Sequence, residues 1–267
     1  MKILYATDLD RTIIFSGRFM TEFQTTAEYD IAEKRDWEKD EGVISYISIE
    51  LRNKLIELNN NPNVEIVPVT TRSLEEYNRI NLGFKPKYAI IDCGGTILKN
   101  GEPMGEWENF VKSQIDAMEM LDIALDMQEL KSKHSDRNIK CIDNKFLFTK
   151  VTDPELFDKE CEAFVLRYPK FNFFRQRNKV YVIPTAFSKA VSVRWLQNKL
   201  EVNKLVACGD SELDLPMLAI ADFAVVPGHG SLVTEKYVTD GRITKAGINA
   251  SLDAVKIVNS LLRIVEV

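Results

Sequence analysis

Short runs of consecutive apolar residues, each ending in polar or acidic side chains, alternate with stretches whose apolar positions return every three or four residues. The runs at Ile3–Thr7, Glu65–Val69, Tyr88–Asp92, Leu205–Cys208 and Phe223–Val226 are too short for ordinary helices and mostly apolar throughout. That is the pattern of strands buried on both faces. Between them the helical period predicts Ser45–Asn59, which sets Ile47, Leu51, Leu55 and Leu58 at helical spacing, and Ser73–Ile80, Ser188–Leu200, Asp214–Ala219 and Leu252–Ile264. Strand alternating with helix implies an α/β fold, a Rossmann-like parallel sheet with helices on both faces. Ligands of such sheets sit beyond the carboxyl ends of the strands.

Residues 96–183 break the rhythm. They carry one long helical pattern, Glu106–Leu130, a short strand at Lys145–Lys150, a helix after Pro154, and a hairpin of Phe171–Gln176 and Lys179–Ile183 turning at Arg177-Asn178. This mixture predicts an α+β module inserted into the parallel domain, so that residues 1–95 and 184–267 form one discontinuous core and 96–183 a second domain. Residues 15–44 are polar, charged and aromatic with no clear period.

The chain has 267 residues, enough for one large or two modest domains, and is 45% hydrophobic and 28% charged, as expected of a globular protein. A formal charge of −5 argues against nucleic acid as a partner, which needs a basic footprint. An anionic ligand must then be held by a few local cations or a metal. No apolar run is long enough to span a membrane, and Met1-Lys2-Ile3-Leu4 leads into an acidic residue almost at once, which is no signal peptide. Cys93, Cys141, Cys161 and Cys208 are scattered without a Cys-x-x-Cys pair, which suits reduced core cysteines and a cytoplasmic location. Only His134 and His229 are present, so a His-rich metal site or a Ser-His-Asp triad is not expected.

The candidate chemistry lies where the apolar runs end. Asp8-Leu9-Asp10-Arg11-Thr12 follows the first run. Two carboxylates at i and i+2 point the same way if strand geometry persists, and two buried like charges need a cation or a shared proton. The pentapeptide alone also fits a turn, because Asp and Thr are common where strands give way to loops. Val67-Pro68-Val69-Thr70-Thr71-Arg72-Ser73 ends in hydroxyls and a cation, Phe187-Ser188-Lys189 opens an amphipathic helix, and Leu205-Val206-Ala207-Cys208 runs into Gly209-Asp210-Ser211-Glu212-Leu213-Asp214. Leu215-Pro216 after Asp214 also fits a helix N-cap.

Taken in order from Asp8 to Asp214, these four motifs resemble the haloacid dehalogenase (HAD) superfamily of phosphatases. The position and size of the insertion resemble the large α/β cap of the IIB, or Cof-like, branch, where sucrose-phosphatase-like enzymes occur. Asp-Leu-Asp-Arg-Thr with Val-Pro-Val-Thr-Thr-Arg is also similar to a bacterial subgroup associated with tellurite-resistance gene clusters. The resemblance implies Asp8 as nucleophile, Asp10 as general acid and base, Thr70 as a phosphate donor and Lys189 as the neutralising cation. It implies Mg²⁺ held by Asp8, the backbone carbonyl of Asp10 and Asp210, with Asp214 binding the ion or orienting its waters or Lys189. It also makes residues 15–44 a flexible turn and flap. The substrate is then a small phosphorylated metabolite, a sugar phosphate in the first instance. A phosphosugar mutase and a non-catalytic ligand-sensing module are the alternatives.

Three departures from the family pattern bear on the substrate side. Arg11 stands where Gly is common, and either touches substrate or pairs with Glu22 or Asp30. Thr71 replaces the Gly of Thr-Gly-Arg, with Arg72 pairing a nearby acid or steering substrate. Cys93-Gly94-Gly95 replaces Asn-Gly. In the insertion, Arg175 and Arg177 with Lys179, Phe171, Phe173 and Phe174 form a cationic-aromatic cluster, and alternation sets Phe171, Phe173 and Arg175 on one face. That cluster is either a substrate-selecting face or an ordinary hairpin with one buried and one solvated side.

Overall fold

The computed structural model describes residues 1–23, 27–134, 139–152, 163–176, 178–234, 236–239, 243–244 and 250–264. Four parallel strands form the central sheet: β1 (Ile3–Thr7), β5 (Val64–Pro68), β13 (Lys204–Cys208) and β14 (Phe223–Val225), in the order β14-β13-β1-β5. β6 (Tyr88–Ile91) extends it through a parallel bridge from Val69 to Ile90. All five residues of β1 are buried, as the unbroken apolar run predicts.

Helices cover both faces. α2 (Ile49–Asn59) and α8 (Ala250–Ile264) pack Leu51, Leu55, Leu58, Val255 and Val258 on the side of Ile3, Tyr5 and Ile66. On the other side α6 (Lys189–Lys199) and α7 (Leu215–Ala219) bring Val193, Leu196, Met217 and Leu218 against Leu4, Val67 and Leu205. Another helix of the core, α3 (Leu74–Asn78), opens on a capping box between Ser73 and Glu76.

The described residues of the period-free stretch form regular elements. β2 (Phe15–Ser16), β3 (Tyr29–Asp36) and β4 (Glu41–Ser48) form an antiparallel sheet in the order β2-β4-β3, with α1 (Gly17–Glu22) beside it. β3 conceals its alternation because its register shifts between Ile31 and Glu33 and again between Glu33 and Lys34, so Ala32, Glu33 and Lys34 are buried in succession. The helix expected from Ser45 starts only at Ile49, since Ser45–Ser48 complete β4 and Ser48 caps the helix by accepting from Leu51 N.

After β6 the chain forms β7 (Thr96–Lys99) and β8 (Glu102–Pro103), then two helices, α4 (Gly105–Gln114) and α5 (Ala117–His134), where the sequence suggested one. The break has a local cause: Ile115 is extended, and Asp116 Oδ1 accepts from Met118 N at 2.9 Å and Glu119 N at 3.2 Å. A second antiparallel sheet follows, β9 (Lys140–Ile142), β10 (Phe146–Lys150), β11 (Phe171–Gln176) and β12 (Lys179–Pro184), in the order β11-β12-β10-β9. Residues 163–167 are helical. The stretch directly after Pro154, with Cys161, and the turn residue Arg177 lie outside the described residues.

Cross-strand register divides this sheet into two faces. Phe171, Phe173, Leu147, Val180 and Val182 pack with Met120, Ile123 and Met127 of α5. Phe174, Phe146, Phe148 and Tyr181 point the other way and join the cluster of the central sheet. Among the described residues no helix is long and apolar enough to cross a membrane.

Candidate active site

Strand register brings the acidic residues to one rim. Thr7 of β1 lies opposite Cys208 of β13 and Pro68 of β5, so Asp8, Asp210 and Thr70 all fall one or two residues past the end of the same sheet. Asp8 N continues the ladder, donating to Cys208 O at 2.9 Å. Asp8, Asp210 and Asp214 are each at most 6% exposed, and one carboxylate oxygen of each lies within 4.8 Å of the other two.

Lys189, at the first position of α6 and 3% exposed, donates to Asp8 Oδ1 at 2.7 Å and to Asp214 Oδ1 at 2.5 Å. Its position depends on two close approaches. A Cβ on Gly94, whose φ is +99°, would sit 2.4 Å from the Ser188 carbonyl oxygen, and a Cβ on Gly209 would sit 2.5 Å from Asp214 Cβ and Cγ. Glycine is required at both. Asp214 occupies the N-cap position of α7 but makes no capping bond. Its Oδ2 instead accepts from Ser211 N at 3.0 Å and Ser211 Oγ at 2.8 Å.

The charges do not balance. Burial pushes Asp8 up to about 7; the Lys189 ammonium opposes this, and Asp214 and Asp10 add to it. Burial, then Asp8 and Asp214, drive Asp210 well above the usual carboxylate range, although Arg11 Nε lies 3.3 Å from Asp210 Oδ2. Burial alone would lower Lys189, but Asp214 and Asp8 outweigh it and hold the ammonium above its ordinary pKa. Buried carboxylates in excess of their cations, offering only oxygen donors, fit a hard divalent metal ion.

Asp10 is on the exposed side of the tight Leu9–Ile14 loop, and Arg72 grips both its oxygens at 2.8 Å. The same guanidinium donates to Glu33 Oε1 at 2.8 Å and Oε2 at 2.9 Å. Of the two alternatives for Arg72, the acid partner is what the structure shows. Arg11 adopts a left-handed φ of 62°, the conformation a glycine takes freely. It pairs with Asp210, reaches the His229 carbonyl oxygen at 3.4 Å and lies over Phe19 at 5.1 Å. The expected partner Asp30 pairs instead with Arg52. His229 is buried against Phe19 and Phe23, with Nε2 2.7 Å from Arg11 O, and burial lowers it to about 4.

A cleft of about 470 Å³ opens over Asp8, Asp10, Lys189 and Asp210. Thr71 and Arg72 border it, whereas Thr70 is buried with its Oγ1 accepting from Arg72 N at 3.3 Å. The β9–β12 sheet supplies the opposite wall through Lys140, Ile142, Phe146, Phe148, Gln176, Lys179 and Tyr181. Arg175 is not on that wall. It pairs across the sheet with Val180, so Phe171, Phe173 and Arg175 share a face as the alternation predicts, and that face is the one α5 covers rather than the one toward the cleft. Reasoning from sequence missed Glu33, Arg79, Lys140 and Tyr181 as cleft residues. Nothing marks Glu33 inside its charged octapeptide, while the period-2 pattern of Phe146, Phe148 and Tyr181 was readable once the sheet's inner face was known.

A family model described as sucrose-6F-phosphate phosphohydrolase matches residues 47–231, more than half of the chain, including Thr70, Lys189, Asp210 and Asp214 but not the Asp8–Thr12 motif. The sucrose-phosphatase of Synechocystis sp. PCC6803, solved with sucrose and phosphate, superposes with a TM-score of 0.71 at 15% identity, over 97% of this chain and 99% of that one. The HAD phosphatase BT1666 from Bacteroides thetaiotaomicron gives 0.59 at 15% identity, over 97% and 95%. The trehalose-6-phosphate phosphatase of Aspergillus fumigatus gives 0.56 at 15% identity, over 97% and 92%. Among curated proteins no sequence matches the chain. The superpositions establish the HAD fold with its cap, and the family match establishes descent: the chain belongs to the sucrose-6F-phosphate phosphohydrolase family of HAD phosphatases and is a phosphoric monoester hydrolase.

Proposed function

We propose that the protein hydrolyses the phosphate monoester of a small sugar through an aspartyl-phosphate on Asp8, with residues 96–183 acting as a cap over a core of residues 1–95 and 184–267. The observation that carries the reading is the buried Asp8 carboxylate, held by Lys189 within 4.8 Å of Asp210 and Asp214, at the floor of a cleft roofed by a second sheet. The sucrose and phosphate bound by the Synechocystis relative, and the trehalose-6-phosphate phosphatase neighbour, support a phosphorylated sugar as substrate.

Asp8 Oδ1 is engaged by Lys189, which leaves Oδ2, met by the Thr12 hydroxyl at 3.4 Å, as the attacking oxygen. Attack at phosphorus breaks the bond to the sugar oxygen, and protonated Asp10 gives that oxygen its proton. Asp10, now a carboxylate, takes a proton from water, which attacks the phosphoryl group, releases phosphate and restores Asp8. Lys189 offsets charge on Asp8 and the transferring oxygens throughout. Thr70 or Thr71 donates to a phosphate oxygen. Asp8, the Asp10 carbonyl and Asp210 would hold Mg²⁺, with Asp214 fixing Lys189 and the rim; when bound, the ion neutralises the phosphate dianion and the buried carboxylates.

Phosphate release from a panel containing sucrose 6-phosphate, trehalose 6-phosphate and hexose monophosphates, with Mg²⁺ and with chelator, tests this reading. Metal-dependent release from at least one sugar phosphate, abolished in Asp8→Asn, is the expected result. Turnover persisting in Asp8→Asn, or isomerised sugar phosphate without free phosphate, overturns it.

A further inference from the structure

We propose that Glu33, on the β3–β4 hairpin and far in sequence from every motif residue, is a positioning residue for the acid–base step: it holds Arg72, and Arg72 aims Asp10. The inference rests on the reading of Asp10 given above.

Glu33 is wholly buried, yet it is one of the residues that line the cleft. Besides the two bonds from Arg72, it accepts from Arg79 Nε at 3.4 Å and from Ser45 Oγ at 3.4 Å. Asp10 is the opposite case. Its side chain is 53% exposed, and among the described residues the only side chain bonded to its carboxylate is Arg72, through Nε and Nη2 at 2.8 Å each. A half-exposed carboxylate with one partner takes its direction from that partner, and Arg72 takes its own from Glu33. A planar guanidinium gripping two carboxylates at once fixes their relative placement in a way a lysine cannot.

The hairpin itself is pinned. Glu33 bridges to Ile80, Asn81 N donates to Ala32 O at 2.8 Å, and Trp37 Nε1 donates to Arg79 O at 2.7 Å. Apolar packing would serve stability at this spot as well as a buried ion pair does. The structure instead spends a buried carboxylate next to the one acid whose direction matters for proton transfer.

The experiment follows p-nitrophenyl phosphate by rapid mixing. Its leaving group departs without a proton, whereas hydrolysis of the aspartyl-phosphate still needs Asp10 to activate water. Glu33→Gln is expected to keep the rate of the p-nitrophenolate burst and to lower steady-state turnover about ten- to hundred-fold. Asp10→Asn should show the same pattern more strongly, and Glu33→Asp should recover part of the loss. If Glu33→Gln does not fold by circular dichroism, Arg72→Lys replaces it, since it keeps the charge but cannot grip both carboxylates. Equal loss in burst and steady state, or no loss in either, overturns the role of Glu33. If Asp10→Asn keeps full turnover, the reading of Asp10 falls and the present inference with it; a step-selective Asp10→Asn beside an unaltered Glu33→Gln removes this inference alone.

Discussion

The two walls of the cleft are built on opposite principles. On the core side Asp8, Asp10, Glu33, Asp210 and Asp214 each meet a cation, from Lys189, Arg11 or Arg72, and most of these groups are buried. On the cap side the lining residues include no carboxylate; Lys140 and Lys179 form no ion pair among the described residues, and Phe146, Phe148 and Tyr181 supply an aromatic surface. The core wall is over-determined, as a site must be when it places charge within fractions of an ångström. The cap wall leaves its polar groups uncommitted, as a surface does when it waits for a ligand to supply the partners. A polar latch ties the cap sheet to the core: Lys145, in the β9–β10 turn, donates to buried Asp92 Oδ2 at 2.8 Å and also bonds Thr96 Oγ1.

Removing the central cation breaks the core wall most severely. Lys189→Met leaves three buried carboxylates facing one another, and is expected to destabilise the metal-free protein by about 3–5 kcal/mol. Turnover should fall roughly a thousand-fold or more. Urea denaturation in chelator and phosphate release at saturating substrate check both, and a near-native stability would show that the carboxylates are protonated rather than paired.

Next comes steric pressure on the same wall. Gly209→Ala puts a methyl group 2.5 Å from Asp214 Cβ and Cγ and is expected to cost about 1–3 kcal/mol while displacing Asp214 from Lys189. A matched Gly105→Ala, with open space around it, should leave melting temperature and activity near wild type.

The cap wall should respond more mildly, and in KM. Lys140→Gln with Lys179→Gln is expected to raise KM about ten-fold while leaving kcat within about two-fold, the mark of ground-state binding. A loss confined to kcat would move these lysines to the chemical step and erase the contrast between the walls.

The remaining test is the pH dependence of stability. Asp8 has its pKa raised from 3.8 to about 7 in the folded protein, so the folded state keeps a proton that the unfolded chain gives up between these values. Stability from this group is therefore full below pH 3.8 and is lost as pH rises through about 7. Metal-free protein should become easier to denature across that window, Asp8→Asn should flatten the slope, and Mg²⁺ should bind more tightly as pH rises because it displaces the proton. A stability that rises over the same window would mean Lys189 outweighs burial.

The sequence by itself determined the parallel core, because strands buried on both faces must be apolar at every position and therefore announce themselves. It also placed Asp8, Asp10, Lys189, Asp210 and Asp214 at strand ends and a helix start, since charged residues stand out where an apolar run stops. What it could not supply was pairing between distant segments. Glu33 looked like one charge among many until a bulged strand turned it inward against Arg72, 39 positions away. Arg175 was on the predicted alternation, but which face of that sheet meets the core depends on how helix α5 packs, and alternation is silent about that. Arg11 found Asp210 and His229 rather than Glu22 or Asp30, because its partners lie about 200 residues on and only folding brings them near. Local pattern reports what a segment buries; the identity of the partner is decided by the closing of long loops, which the tertiary structure alone fixes.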